Sequence, residues 1–153
     1  MRFKGSKEKY SSLYQIEALV QNKYIDKTMV SFVVDTGSTL TILSLKDAIK
    51  LKLLSVKEES SFGLVNNHNL DIEKTQTSIG SMDLLKLEDV ILTFYFNKRC
   101  CFAEYFEAIY VAKPIIKSEE EYSLMMDIPS VLGIDVLKNY KIEFSNDSVL
   151  LER

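Results

Sequence analysis

Asp35-Thr36-Gly37-Ser38 sets a carboxylate between two apolar runs, Phe32-Val33-Val34 before it and Leu40-Thr41-Ile42-Leu43 after it. Such runs read as buried strands, and a charge between them is costly unless it is hydrogen-bonded or put to use. The residues after Asp35 suit a tight loop that aims backbone N–H groups back at the carboxylate. The motif occurs once in the 153 residues. If this acid needs a second carboxylate of the same kind, that group must come from another copy of the chain.

The length fits one domain and is ample for a core. With 46% hydrophobic and 27% charged residues the composition is that of a soluble globular protein. A net charge of -3 argues against a nucleic-acid-binding surface. No window approaches the roughly 20 apolar residues that a bilayer span needs, so no membrane partner is expected. Met1–Lys9 carries charge with no apolar stretch behind it and does not read as a signal peptide. A cytoplasmic location is the expectation.

Cys100 and Cys101 are adjacent. Neighbours in a strand point to opposite faces, so a bond between them would be strained. They read as free thiols, which suits a reducing compartment. The one histidine, His68, lies in a polar turn, which gives a cysteine nucleophile no evident base. One His and two adjacent Cys do not match zinc-ligand spacing. No metal and no other cofactor is expected.

Hydrophobic periodicity is mostly two, which predicts an all-β chain. Tyr14, Ile16, Ala18 and Val20 alternate with more polar residues, Gln21–Lys27 reads as a turn, and Thr28–Val34 is a strand that delivers Asp35. Ser44 followed by Asp47 is a capping-box pattern that predicts a short helix. Ser61–Thr77 reads as two strands around the polar turn Asn66-Asn67-His68-Asn69. Leu87–Phe96 and Cys101–Val111 are aromatic-rich strands joined at Asn97-Lys98-Arg99. Lys113–Asp127, with Glu119-Glu120-Glu121, reads as a solvated acidic loop. Ile128–Leu132 is strand-like, Gly133 opens a second short helix, and Lys141–Phe144 and Val149–Glu152 form a terminal hairpin. Residues 1–12 lack strand alternation and are expected to be a mobile segment ahead of a domain at 13–153.

Val33-Val34-Asp35-Thr36-Gly37-Ser38-Thr39, with Ile42 seven residues past the acid, resembles the active-site loop of aspartic proteases. Ile128-Pro129-Ser130-Val131-Leu132-Gly133-Ile134-Asp135-Val136-Leu137 resembles their second signature, an apolar strand, a glycine and a helix. Single-domain length places the resemblance, over residues 13–152, with the retropepsin-like family, closest to its cellular ubiquitin-linked and prokaryotic members. The resemblance implies a closed, barrel-like β fold with a flap hairpin and one or two short helices. It implies a homodimeric endopeptidase in which two Asp35 carboxylates, one per subunit, share a proton and activate a water.

It also assigns supporting parts. Thr36 would hydrogen-bond across the dimer axis, Gly37 would admit the backbone close to the carboxylate, and the Ser38 hydroxyl would reach Asp35. An extended polypeptide would bind under a flap at Phe62–Leu70. The flap and pocket candidates are Phe62, Gly63, Leu64, Val65, Asn66, Ile128 and Val131. The tip carries Asn66, Asn67 and Asn69 where viral relatives have glycines. The Arg and Asp that viral members pair near the loop are Ile134 and Thr39 here, absent together, so no unpaired charge remains. Asp135 is expected to cap the following helix. The dimer is expected to use the Tyr140–Arg153 hairpin, through an exposed edge at Val149-Leu150-Leu151. The alternatives are a dimerisation or peptide-binding module of weak or no activity, and a domain that cuts only its own precursor or one partner.

Overall fold

The computed structural model describes residues 1–57, 62–77 and 80–153. Arg2–Lys7 form β1, Tyr14–Asn22 β2 and Ile25–Val34 β3. β2 and β3 pair antiparallel, with Gln15 opposite Val33. Ile16, Ala18, Val20, Val30 and Phe32 are their buried residues, as the period of two requires. Asn22 Oδ1 accepts the N–H groups of Tyr24 and Ile25, so the strands run closer together than the expected Gln21–Lys27 turn.

Ile42–Leu43 form β4 and Leu45–Lys50 form α1. Ser44 caps α1 by accepting the Asp47 N–H, as its sequence pattern predicts. Leu54–Val56 (β5) and Leu64–Asn66 (β6) make a separate two-stranded sheet. Asp71–Thr77 is β7, Gly80–Tyr95 β8 and Cys101–Pro114 β9. Glu119–Asp127 form α2, Ser130–Leu132 β10 and Ile134–Leu137 α3, and Lys141–Phe144 (β11) and Ser148–Glu152 (β12) end the chain.

Ten strands run in the order β11-β12-β1-β2-β3-β10-β4-β9-β8-β7, and β8 pairs with β2 as well. That extra pairing closes β2, β3, β10, β4, β9 and β8 into a six-stranded barrel. Closure removes sheet edges. Leu43, Leu85, Leu92, Phe94, Ile109 and Leu132 are among its fully buried side chains.

Four local expectations are corrected. Residues 2–7 are a strand, seated between β12 and β2. Phe3 is fully buried, with the rings of Phe94, Phe96, Phe102 and Tyr140 at 5.5–6.1 Å. A Cβ on Gly5 would fall 2.1 Å from the Gln15 carbonyl oxygen, so glycine lets β1 lie against β2. One Phe and one Gly carry too little hydropathy to show the alternation.

The two strands around Asn66–Asn69 do not pair with each other. β6 pairs with β5 and β7 with β8, while Ser61 lies outside the described residues. The acidic segment is a helix after Pro114, capped by Ser118, with Tyr122, Met125 and Met126 packed on the core. Finally, β12 is not an exposed edge: it lies between β11 and β1, with Val149 and Leu151 fully buried. Its backbone groups are satisfied within the chain.

Candidate active site

β3 delivers Asp35 to the end of the barrel. Val33 and Val34 are buried, Asp35 is half-buried, and Thr36, Gly37 and Thr39 are exposed. The Asp35 N–H donates to the Leu132 carbonyl at 3.1 Å, and the Ser38 N–H to the Asp35 carbonyl at 3.2 Å. The Gly37 N–H donates to Asp35 Oδ1 at 2.8 Å. A Cβ at Gly37 would sit 3.1 Å from that same oxygen, so glycine keeps the acid open on this side. The loop orients a carboxylate at the rim of an apolar wall.

Ser38 is placed differently from expectation. Its hydroxyl donates to the Leu40 carbonyl at 2.7 Å. That proton is committed within the loop and is not on Asp35.

The second signature lies directly beside the first. β10 runs parallel to β3, with Leu132 beside Val34, and antiparallel to β4, with Val131 beside Ile42. Beyond β10 the two loops cross in contact. A Cβ on Gly133 would fall 2.3 Å from the Leu40 carbonyl oxygen. The Ile134 N–H donates to Ser38 O at 2.8 Å and the Asp135 N–H to Thr39 O at 3.2 Å. The Asp135 carboxylate accepts from Thr41 N–H and the Thr41 hydroxyl, and from Val136 N–H in the first turn of α3. Thr41 Oγ1 in turn accepts the Gly133 N–H at 2.9 Å. Beneath this, the Ser130 hydroxyl donates to Asp47 Oδ2 and accepts the Ser44 N–H.

Thr41, Ser130 and Asp47 were missed as site-building residues. Thr41 and Ser130 are fully buried, and each interrupts an apolar run. A polar residue in such a run needs a partner, which is a signal, although it does not name the partner.

The flap and pocket candidates separate into groups. Leu64 is buried in the core. Phe62, Gly63 and Asn66 are half-buried and Val65 is exposed. Lys57 N–H donates to Gly63 O at 2.7 Å and closes the β5–β6 hairpin. Asn66 both donates to Leu70 O and accepts its N–H. Asn67 is tied to Leu53, Lys52 and Ser55, and His68 stacks on Tyr24 at 4.4 Å. The asparagine turn is thus pinned to the α1–β5 connection. Val131 is half-buried beside Val33, whereas Ile128, also half-buried, lies beyond the other end of β10 from Asp35.

A groove of about 710 Å³ between Lys4, Gln15, Met29, Tyr95 and Lys98 includes none of residues 35–38. The carboxylate chemistry, not cavity size, marks the site. Cys100 and Cys101 are free and exposed. Among the described residues no group of three or more His, Cys, Asp and Glu is placed to hold a metal ion, and no helix is long and apolar enough to cross a membrane.

The chain matches no family model and no curated protein sequence. Its fold is similar to the crystal structure of a retropepsin-like aspartic protease from Rickettsia conorii, with a TM-score of 0.55 and 18% identity over 99% of this chain and 90% of that one. The closed barrel with few short helices matches the retropepsin-like fold, the all-β architecture expected from the sequence. At that identity the likeness speaks for the fold, and the chemistry must be argued from the residues.

Proposed function

We propose that the chain is an aspartic endopeptidase that works as a homodimer. The observation that carries this reading is the Asp35 carboxylate, held half-exposed at the end of a buried strand by the Gly37 N–H. A loop that only closed a barrel would gain nothing from placing an acid there. In the dimer, two Asp35 carboxylates meet near the two-fold axis. Like charges that close do not both ionise, so the pair holds one proton and titrates as a unit. The ionised member takes a proton from a water that attacks the scissile carbonyl. The protonated member donates to the developing oxyanion.

In this reading Thr36, exposed beside the acid, hydrogen-bonds its twin across the axis. An extended polypeptide lies over the two loops, with Val131 on the wall nearest the acid. The β5–β6 hairpin, with Phe62, Gly63, Val65 and Asn66, is the cover.

A second reading, a dimerisation or peptide-binding module without activity, draws on the pinned asparagine turn. A cover tied down through Asn66 and Asn67 has less freedom to open and close than a glycine-rich one.

Cleavage of an unfolded protein between pH 3 and 7, by wild type and by Asp35→Asn, separates these readings. Cleavage lost in the variant supports the peptidase. Equal cleavage by both removes Asp35 as the catalyst, and no cleavage by either favours the binding module. Titration with a pepstatin-type inhibitor is expected to give one inhibitor per two chains.

A further inference from the structure

We propose that the groove between β1 and the β8–β9 turn takes up an extended acidic segment of another polypeptide, which adds as a strand to the open edge of β1. Its lining includes none of residues 35–38, so its use does not depend on the peptidase reading.

The groove exists because β2 changes partner along one edge. β1 pairs with β2 only at Lys7–Tyr14 and Ser6–Gln15, and β8 takes over at Phe94–Ala18. Between these, Lys4 would meet Glu17 if the first ladder ran on, but it stops short. The alternation of antiparallel pairs says which way the main chain of Lys4 faces. Met1 and Arg153 exchange both backbone bonds, and the Lys7 N–H donates to Asp147 O. Phe3 and Gly5, in phase with these, therefore bond to β12, and Lys4 turns its N–H and C=O toward the groove. An unpaired donor and acceptor side by side on a strand edge match a second strand. A small anion would engage only the N–H.

The side chains choose the charge. Lys4 and Lys98 line the groove and are exposed, and neither belongs to an ion pair among the described residues. The neighbouring amides have spent their acceptors. Gln15 Oε1 takes the Ser31 hydroxyl, and Asn97 Oδ1 takes the N–H groups of Arg99 and Cys100, which leaves both NH₂ groups to donate. Glu17 is the one carboxylate in the lining, so positive charge and donors prevail. Met29 and Tyr95, 36% and 42% exposed, offer apolar contact to alternate side chains. The volume of about 710 Å³ is that of an ordinary ligand cleft.

Fluorescence anisotropy on the full chain tests this, with Asp35→Asn as the background so that no probe is cut. The probe is a labelled peptide of about six residues, the length of an ordinary strand, alternating valine and glutamate. It is expected to bind at least about tenfold more tightly than a valine–lysine peptide. Lys4→Ala with Lys98→Ala is expected to weaken it by about tenfold, and Glu17→Gln to tighten it by about twofold. All three positions are exposed, and thermal melts check that the variants fold. Replacing alternate valines by proline, which cannot donate to a ladder, is expected to weaken binding by about tenfold. Equal binding of the glutamate and lysine peptides, or an unchanged dissociation constant in the double lysine variant, overturns the proposal. Equal binding of the proline peptide reduces it to diffuse charge attraction and refutes strand addition. Glutarate binding as tightly as the peptide makes the groove a small-anion pocket and refutes it as well.

Discussion

Asp135 takes both the backbone N–H and the hydroxyl of Thr41, at 2.9 and 2.6 Å, across 94 residues of chain. Because Thr41 Oγ1 also accepts the Gly133 N–H, one carboxylate joins the Asp35 loop to the strand and helix that cross it. Asp135→Ala strands a buried N–H and a buried hydroxyl, each costing about 1–3 kcal/mol when left unpaired. Urea unfolding is expected to show a loss of about 2–6 kcal/mol for the two groups together. Asp135→Asn keeps the shape and one acceptor but turns an NH₂ toward a donor, and is expected to fall between the two. A change below about 0.5 kcal/mol for Asp135→Ala, the size of an ordinary surface substitution, would refute the clamp.

Two glycines should respond in different ways. Gly133→Ala drives a Cβ to 2.3 Å from a backbone oxygen of Leu40, which no rotamer relieves, and is expected to prevent folding. Gly37→Ala meets only the Asp35 carboxylate, at 3.1 Å. That variant is expected to melt close to wild type while losing most of any Asp35-dependent cleavage. Circular dichroism beside the cleavage assay distinguishes a displaced acid from a lost fold.

Phe3 anchors the first strand among four aromatic rings. Phe3→Ala is expected to destabilise the chain by about 3–5 kcal/mol, as for other buried aromatic truncations. Chemical unfolding measures it. A wild-type midpoint would mean that residues 2–7 contribute nothing to the core.

Tyr140 provides a pH signature. Its hydroxyl donates to Glu104 at 2.5 Å, and Glu104 also holds Asn139 and Arg153. Burial, then the Glu104 hydrogen bond, raise the Tyr140 pKa well above the usual tyrosine range. A pKa raised by folding stabilises the protonated state, so the contribution is complete below about pH 10 and declines as pH rises above it. Tyr140→Phe is expected to be about 1 kcal/mol less stable at neutral pH, with the gap narrowing in alkaline solution. Thermal melts from pH 7 to 11 follow it. A gap that widens with pH would reverse the sign of this linkage.

Features set by near neighbours were legible in the sequence. Ser44 and Asp47 are three residues apart and cap α1 as their spacing indicates. Asn97 closes the β8–β9 turn through Arg99 and Cys100, and the Asp35 loop folds back on its own carboxylate through Gly37. Period-two alternation pointed to an all-β chain, and the resemblance of the Asp35 loop and the Gly133 signature implied its closure. Where the pattern was thin, the reading failed. Phe3 and Gly5 did not reveal β1, and a glutamate run concealed α2 although Ser118 stood ready to cap it. The Ser38 hydroxyl was expected on Asp35 and donates to the Leu40 carbonyl instead, a choice between near acceptors that composition does not make.

The sequence by itself determined which residues turn, cap and alternate, because those preferences act over a few residues of backbone. Only the tertiary structure decided that β1 covers β12, that β6 leaves β7 for β5, and that Asp135 finds Thr41. Strand ladders and buried hydrogen bonds are satisfied by whichever partner the topology brings within about 3 Å. A residue's own neighbours in the chain carry no record of that partner.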